Sequence, residues 1–276
     1  MSGRLCDWER MDRKNSNQAL VPACRVFFDE FLKSDLFIQE QGKRILVTPT
    51  GARCTRLYGV GELKGVETRG KIVRVTVNDS TASLYIYTNK EAELRTIIPA
   101  NAPGKECFIA FSGNVHLLEG AKKKQQAFIL AEEFGAVEER VRNSWILSTA
   151  EHTLERIEWV RINLSSRKEK KEENVLVDLD RLKDALEHYA LDDDKLDAFA
   201  NTAINAVKSL WQQYRETTRE MIGELVKNAG KSGVERDKIL STLKTRGLPE
   251  AWIEDMIDEL IMEGQCHELV SGVLTC

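Results

Sequence analysis

Two tyrosines, Tyr85 and Tyr87, stand two residues apart in the stretch 71–88, KIVRVTVNDSTASLYIYT. Residues two apart in a strand share a face, so these rings point one way while Leu84 and Ile86 point the other. In the preceding strand Ile72, Arg74 and Thr76 share one face, and Val73, Val75 and Val77 share the other. Asn78-Asp79-Ser80-Thr81 forms a polar turn between the two strands. Unpaired nucleobases stack on aromatic rings set beside cations, so Tyr85, Tyr87, Arg74 and Lys71 suggest a surface for single-stranded nucleic acid. The plainer reading is a half-buried hairpin whose tyrosines cover a neighbouring element.

Catalysis has little footing. There is no phosphate-binding glycine loop, no paired-histidine motif and no nucleophile elbow. Glu62, Asp79 and Glu106 are isolated acids without a catalytic partner in sequence. Cysteines 6, 24, 54, 107, 266 and 276 form no CxxC pair, and the four histidines show no ligand spacing with them. They read as free thiols. Asp192, Asp193 and Asp194 lack the later glycine and glutamate of a calcium loop. A non-enzymatic chain with no cofactor and no metal is the expectation.

The 276 residues suggest two domains or three small modules. No run of roughly 18 apolar residues exists to span a membrane, and the charged start MSGRLCDWERMDRK lacks a signal peptide's apolar core. No membrane partner is expected, and the cytoplasm is the expected compartment. Charge is divided unevenly. Residues 47–130 hold 12 Lys and Arg against 7 Asp and Glu, whereas residues 139–276 hold 20 against 27. The two parts should therefore meet different partners.

The elements that must position the tyrosines follow from periodicity. Residues 1–46 read as a flexible extension with a short amphipathic element, ACRVFFDEFL. A strand at 54–66 uses Gly59 and Gly61 for strong coiling. The hairpin follows, then a helix at 90–98 and strands at 106–118 and 125–132. Three strands, a helix and two strands is the order of a five-stranded antiparallel OB barrel, here residues 47–137. A helix at 138–161 repeats Leu147, Ala150, Leu154 and Ile157, flanked by Trp145 and Trp159. Its stripe needs a cover, either its own barrel or other chains. A charged linker (162–174) and a helical segment (175–214) come next. Residues 215–276 read as three helices and a terminal hairpin, the order of a winged helix. The fold class is thus multi-domain α+β.

The third of those helices, EAWIEDMIDELIME, carries six acids and no Lys or Arg. Phosphates would be repelled there, which argues against a duplex-binding transcription regulator. Glu254, Asp258, Glu259 and Glu268 instead suit a basic peptide from a partner protein. Solvation of an outer helix face is the plainer account of many of these acids.

Residues 47–67 (VTPTGARCTRLYGVGELKGVE), 75–87 (VTVNDSTASLYIY) and 108–120 (FIAFSGNVHLLEG) resemble the middle subunit of replication protein A, in particular archaeal replication protein A-associated proteins. Residues 233–269 (GVERDKILSTLKTRGLPEAWIEDMIDELIMEGQCHEL) are similar to that subunit's terminal winged helix. The resemblance implies a single-stranded DNA-binding subunit of a heteromeric complex serving replication, repair and recombination. It implies that bases stack on Tyr85 and Tyr87, beside Lys71, Arg74 and the loop Lys122, Lys123 and Lys124. On the residues themselves, Phe108 is a further stacking candidate, and Arg56 joins these cations in neutralising phosphates. The helix bearing Trp145, Leu147, Ala150, Leu154 and Ile157 would assemble with a large subunit. The alternative is an assembly and recruitment protein that barely touches DNA.

Overall fold

The computed structural model describes residues 22–97, 107–119, 125–169, 176–245, 249–269 and 272–275. At its start Cys24 forms a parallel bridge with Leu57, donating its N–H to the Arg56 carbonyl (2.8 Å) and accepting that of Tyr58 (2.9 Å). Helix α1 (Phe28–Leu32) follows, and Phe27, Phe28 and Phe31 are buried around it. Strands β1 (Leu36–Glu40), β2 (Lys43–Val47) and β3 (Arg53–Cys54) then make a small antiparallel sheet. The β1–β2 turn places Gln41 and Gly42 at positive φ, as tight hairpins require. The extension expected over residues 1–46 therefore contains a hairpin. Its Gln-Gly turn lacks the usual Asn or Asp cue. The free-thiol expectation is corrected for one pair: Cys24 and Cys54 are joined in a disulfide, their Cα atoms 5.2 Å apart.

The barrel is built from β4 (Arg56–Arg69), β5 (Ile72–Asn78) and β6 (Ser83–Thr88), then helix α2 (Glu91–Ile97), then β7 (Phe108–Glu119) and β8 (Gln125–Val137). The closed order is β4-β5-β6-β8-β7, an OB-like ring. Alternation decides what is inside: Val73, Val75, Val77, Leu84, Ile86 and Ile129 are buried. Gly59 leaves room for two rings, since a Cβ there would lie 2.6 Å from Phe111 Cζ and 2.8 Å from Phe28 Cε1. The all-antiparallel expectation is corrected at the seam, where β6 and β8 run parallel. Five strands cannot alternate direction all the way round a ring, so one neighbouring pair must be parallel.

The registers trace a rung around the outside: Arg56 opposite Asn114, then Leu130, Tyr87, Arg74 and finally Glu67. The circuit returns to β4 eleven residues beyond Arg56, the stagger that closes so narrow a barrel.

Helix α3 (Glu139–Glu169) leaves the barrel, and α4 (Leu176–His188) and α5 (Asp193–Ala229) follow. Ile157 and Val160 of α3 pack with Leu186, Leu191, Leu196 and Ala200 in a second core, and Leu164 joins them. That burial carries α3 beyond residue 161, into the stretch expected to be linker. One stripe runs the length of α5 (Leu196, Ala203, Leu210, Tyr214, Ile222, Val226), so position 214 lies inside the helix. Beyond it come β9 (Val234–Glu235), α6 (Arg236–Lys244), α7 (Glu250–Met262), β10 (His267–Glu268) and β11 (Val273–Thr275). The three short strands pair in the order β10-β11-β9. No helix among the described residues is long and apolar enough to cross a membrane.

Candidate nucleic-acid interface

Alternation in β6 puts Tyr85 and Tyr87 on the outer face, where Tyr85 is 48% exposed. Pairing then brings in two aromatic groups from elsewhere. His116 of β7 lies opposite Phe128 of β8, and their rings stack at 5.3 Å with planes 25° apart. Phe128 meets Tyr87 edge-on at 6.1 Å, a favoured aromatic geometry. On the other side the Arg74 guanidinium lies 4.7 Å from the Tyr85 centroid, within cation–π range. His116, Phe128, Tyr87, Tyr85 and Arg74 thus form one strip across β7, β8, β6 and β5.

Beside the strip is a largely apolar groove of about 240 Å³ lined by Leu32, Leu84, Tyr85, Tyr87, Leu118, Gln126, Ala127 and Phe128. It opens where β6 and β8 pair only at Ile86–Ile129 and Tyr87–Leu130.

The cations on this face are held by acids. Arg74 donates through Nη2 to both carboxylate oxygens of Glu67, each at 2.7 Å. This pulls the Glu67 carboxyl below its ordinary range and raises the Arg74 guanidinium. Arg56 pairs with Glu132 at 2.9 Å and donates to Ser112 Oγ at 3.1 Å. Asn114 donates to the same Glu132. Burial lowers the His116 pKa, opposed by the Glu132 charge, so the imidazole is a neutral ring at pH 7. Lys71 is exposed beside the β4–β5 turn, where Gly70 takes φ 64°.

Not every expected residue joins the strip. Phe108 is corrected: it is 8% exposed at the other end of β7, with the Arg142 guanidinium 4.8 Å above its ring. Lys122, Lys123 and Lys124 lie outside the described residues. His116 and Phe128 escaped the sequence reading, because their strands show only alternation and their meeting depends on hairpin register.

The stripe expected for assembly is mostly covered by this chain itself. Trp145 packs edge-on against Phe27 (5.7 Å) and beside Phe28 (5.9 Å). Ala150 and Ile157 are buried and Leu147 is half-buried, whereas Leu154 is 37% exposed. Trp159 and Ile162 are also exposed on α3.

The acids expected to meet a peptide are engaged by arginines. Asp258 and Glu268 bind Arg236 at 2.8 and 3.3 Å, and Glu254 adds its field there. Glu259 binds Arg215 at 2.9 Å and Arg219 at 3.3 Å. Among the described residues no group of His, Cys, Asp and Glu could hold a metal ion.

No family model matches the chain, and no curated protein matches it in sequence. Among solved structures, the S. pombe Stn1-ten1 complex is similar over 42% of this chain and 79% of that one, at 14% identity and a TM-score of 0.31. A chain of a replication protein A heterotrimer bound to ssDNA matches over 49% and 98%, at 12% identity and 0.35. The S. cerevisiae mitochondrial single-stranded DNA binding protein Rim1 matches over 30% and 92%, at 11% identity and 0.24. All three scores are low, so function has to be argued from the residues themselves.

Proposed function

We propose that this chain is a non-enzymatic single-stranded-DNA-binding subunit of a heteromeric, replication protein A-like complex in the cytoplasm. The observation that carries the reading is the strip of His116, Phe128, Tyr87 and Tyr85 across three strands of the barrel. Successive bases stack on such rings, each contributing roughly 1–3 kcal/mol. Arg74, steadied by Glu67 and Tyr85, supplies a cation at the strip's end. The test is fluorescence anisotropy with oligo-dT for the wild type and for Tyr85→Ala/Tyr87→Ala. Loss of affinity in the variant is expected; equal affinities, alone and with the large subunit, would remove the strip from the site.

A second reading, assembly and recruitment, is favoured by one face of α3. There Leu154, Trp159 and Ile162 are exposed among Glu151, Glu155 and Glu158. Under this reading the face docks a large subunit, and the C-terminal unit acts as a winged helix for basic peptides of repair or replication proteins. Co-purification with the large subunit that survives Leu154→Asp/Ile162→Asp argues against that docking.

A further inference from the structure

We propose that a second phosphate-binding station lies away from the aromatic strip, in a hollow between the outer face of β4 and the first turns of α3. The proposal rests on the strand-binding reading above and extends the path of the strand. The hollow measures about 360 Å³ and is lined by Arg25, Tyr58, Arg140, Val141, Ser144 and Trp145.

Its chemistry is that of an anion site. Arg25 is fixed from two sides: Nη1 donates to Ser148 Oγ at 2.7 Å, and the guanidinium lies 5.4 Å from the Tyr58 centroid. Among the described residues it has no carboxylate partner. Arg56 and Arg74, by contrast, each hold a glutamate. Arg140 pairs with Glu138, but their side chains are 57% and 72% exposed. A pair so solvated holds loosely and gives way readily to phosphate. Trp145 is 3% exposed, and its indole N–H has no acceptor among the described residues. Preorganised guanidinium forks with spare donors match phosphate geometry.

The hollow is reached from the strip over one continuous surface. Tyr58 shares the outer face of β4 with Arg56, two residues before it, and Arg56 starts the rung that leads through Asn114 and Leu130 to Tyr87. Three strand spacings separate Arg56 from Tyr87, roughly 14 Å. A strand lying on the tyrosines and continuing across β8 and β7 arrives at Arg25.

The test compares oligo-dT of about 4 nucleotides, the low end of the site size of one OB barrel, with oligo-dT of about 30 on the full chain, beyond its high end of about 16. Arg25→Gln/Arg140→Gln is expected to bind the short oligonucleotide as wild type does and the long one about tenfold more weakly. Its log–log salt slope for the long oligonucleotide should be shallower by about 1.4, two phosphate contacts' worth. A variant-free readout is the Trp145 indole N–H resonance of the wild type, which should shift with the long oligonucleotide and stay still with the short. Unchanged long-oligonucleotide affinity in the arginine variant overturns the station, as does an indole resonance that stays still with the long oligonucleotide. Tyr85→Ala/Tyr87→Ala is read in parallel: if it alone weakens binding, the strip stands and the station falls.

Discussion

The Asp79 carboxylate accepts the backbone N–H of Phe28 at 2.7 Å, joining the tip of the tyrosine-bearing hairpin to a residue 51 positions earlier. Its other oxygen accepts the Thr81 N–H (2.9 Å), the Thr81 hydroxyl (2.7 Å) and the Ala82 N–H (3.0 Å). One side chain thus closes the β5–β6 turn and caps α1. Since Leu32 at the end of α1 lines the groove beside Tyr85, the cap sets the groove's wall as well.

Asp79 also gives a pH signature. Burial pushes its pKa above the ordinary 3.8, against the pull of its four donors. A carboxyl raised by folding binds more protons folded than unfolded. Its contribution is therefore full below 3.8 and declines as pH rises through the raised value. In Asp79→Asn the amide nitrogen must face the Phe28 N–H, at a cost of about 1–3 kcal/mol. Urea unfolding at a series of pH values should show the wild type's advantage over Asp79→Asn narrowing as pH rises through that window. Parallel stability curves would contradict this.

On the strand-binding reading, Glu67 would compete with phosphate for Arg74. Glu67→Gln should raise affinity for oligo-dT severalfold at low salt. One more available cation should also steepen the log–log salt slope by about 0.7. An unchanged slope would mean that Arg74 makes no phosphate contact.

The Cys24–Cys54 disulfide spans 30 positions and encloses α1 and the β1–β2 hairpin. Closing a loop of that length stabilises by about 3–4 kcal/mol in the chain-entropy account. Denaturant melts with and without reductant, and of Cys24→Ser/Cys54→Ser, should differ by that amount. Coincident melts would show that the bridge adds nothing.

Two positions on α3 should behave oppositely. Ile157→Ala opens the second core and should cost about 2–5 kcal/mol, because Ile157 is 1% exposed. Leu154→Ala, at 37% exposure, should change stability by no more than about 1 kcal/mol. Thermal unfolding separates them, and equal losses would contradict the intramolecular cover of α3.

The barrel was legible because its cues are local. Val73, Val75 and Val77 alternate with Ile72, Arg74 and Thr76, and that alternation fixes which side faces the core. The outward placement of Tyr85 and Tyr87 followed from the same rule. Register is a different matter. Nothing near Phe128 announces His116, and nothing near Arg74 announces Glu67; both pairs depend on how far one strand slides past another. Phe108 lies at the far end of β7 beneath Arg142 of α3, a cover that strand alternation alone does not reveal. The sequence cues divide the long helix α5 near residue 215 because the punctuated C-terminal unit invites a separate element. Its buried positions recur without interruption across Tyr214, and that continuity decides the structure.

The continuity of α5 has a mechanical side. At 37 residues it measures roughly 55 Å, and its early turns pack against α3 while its last turns carry the C-terminal helices. A tether would let cargo held at the far end wander. A stiff boom holds the C-terminal helices at a set bearing from the barrel, so under the recruitment reading a protein caught there would be delivered to one arc of whatever the barrel holds.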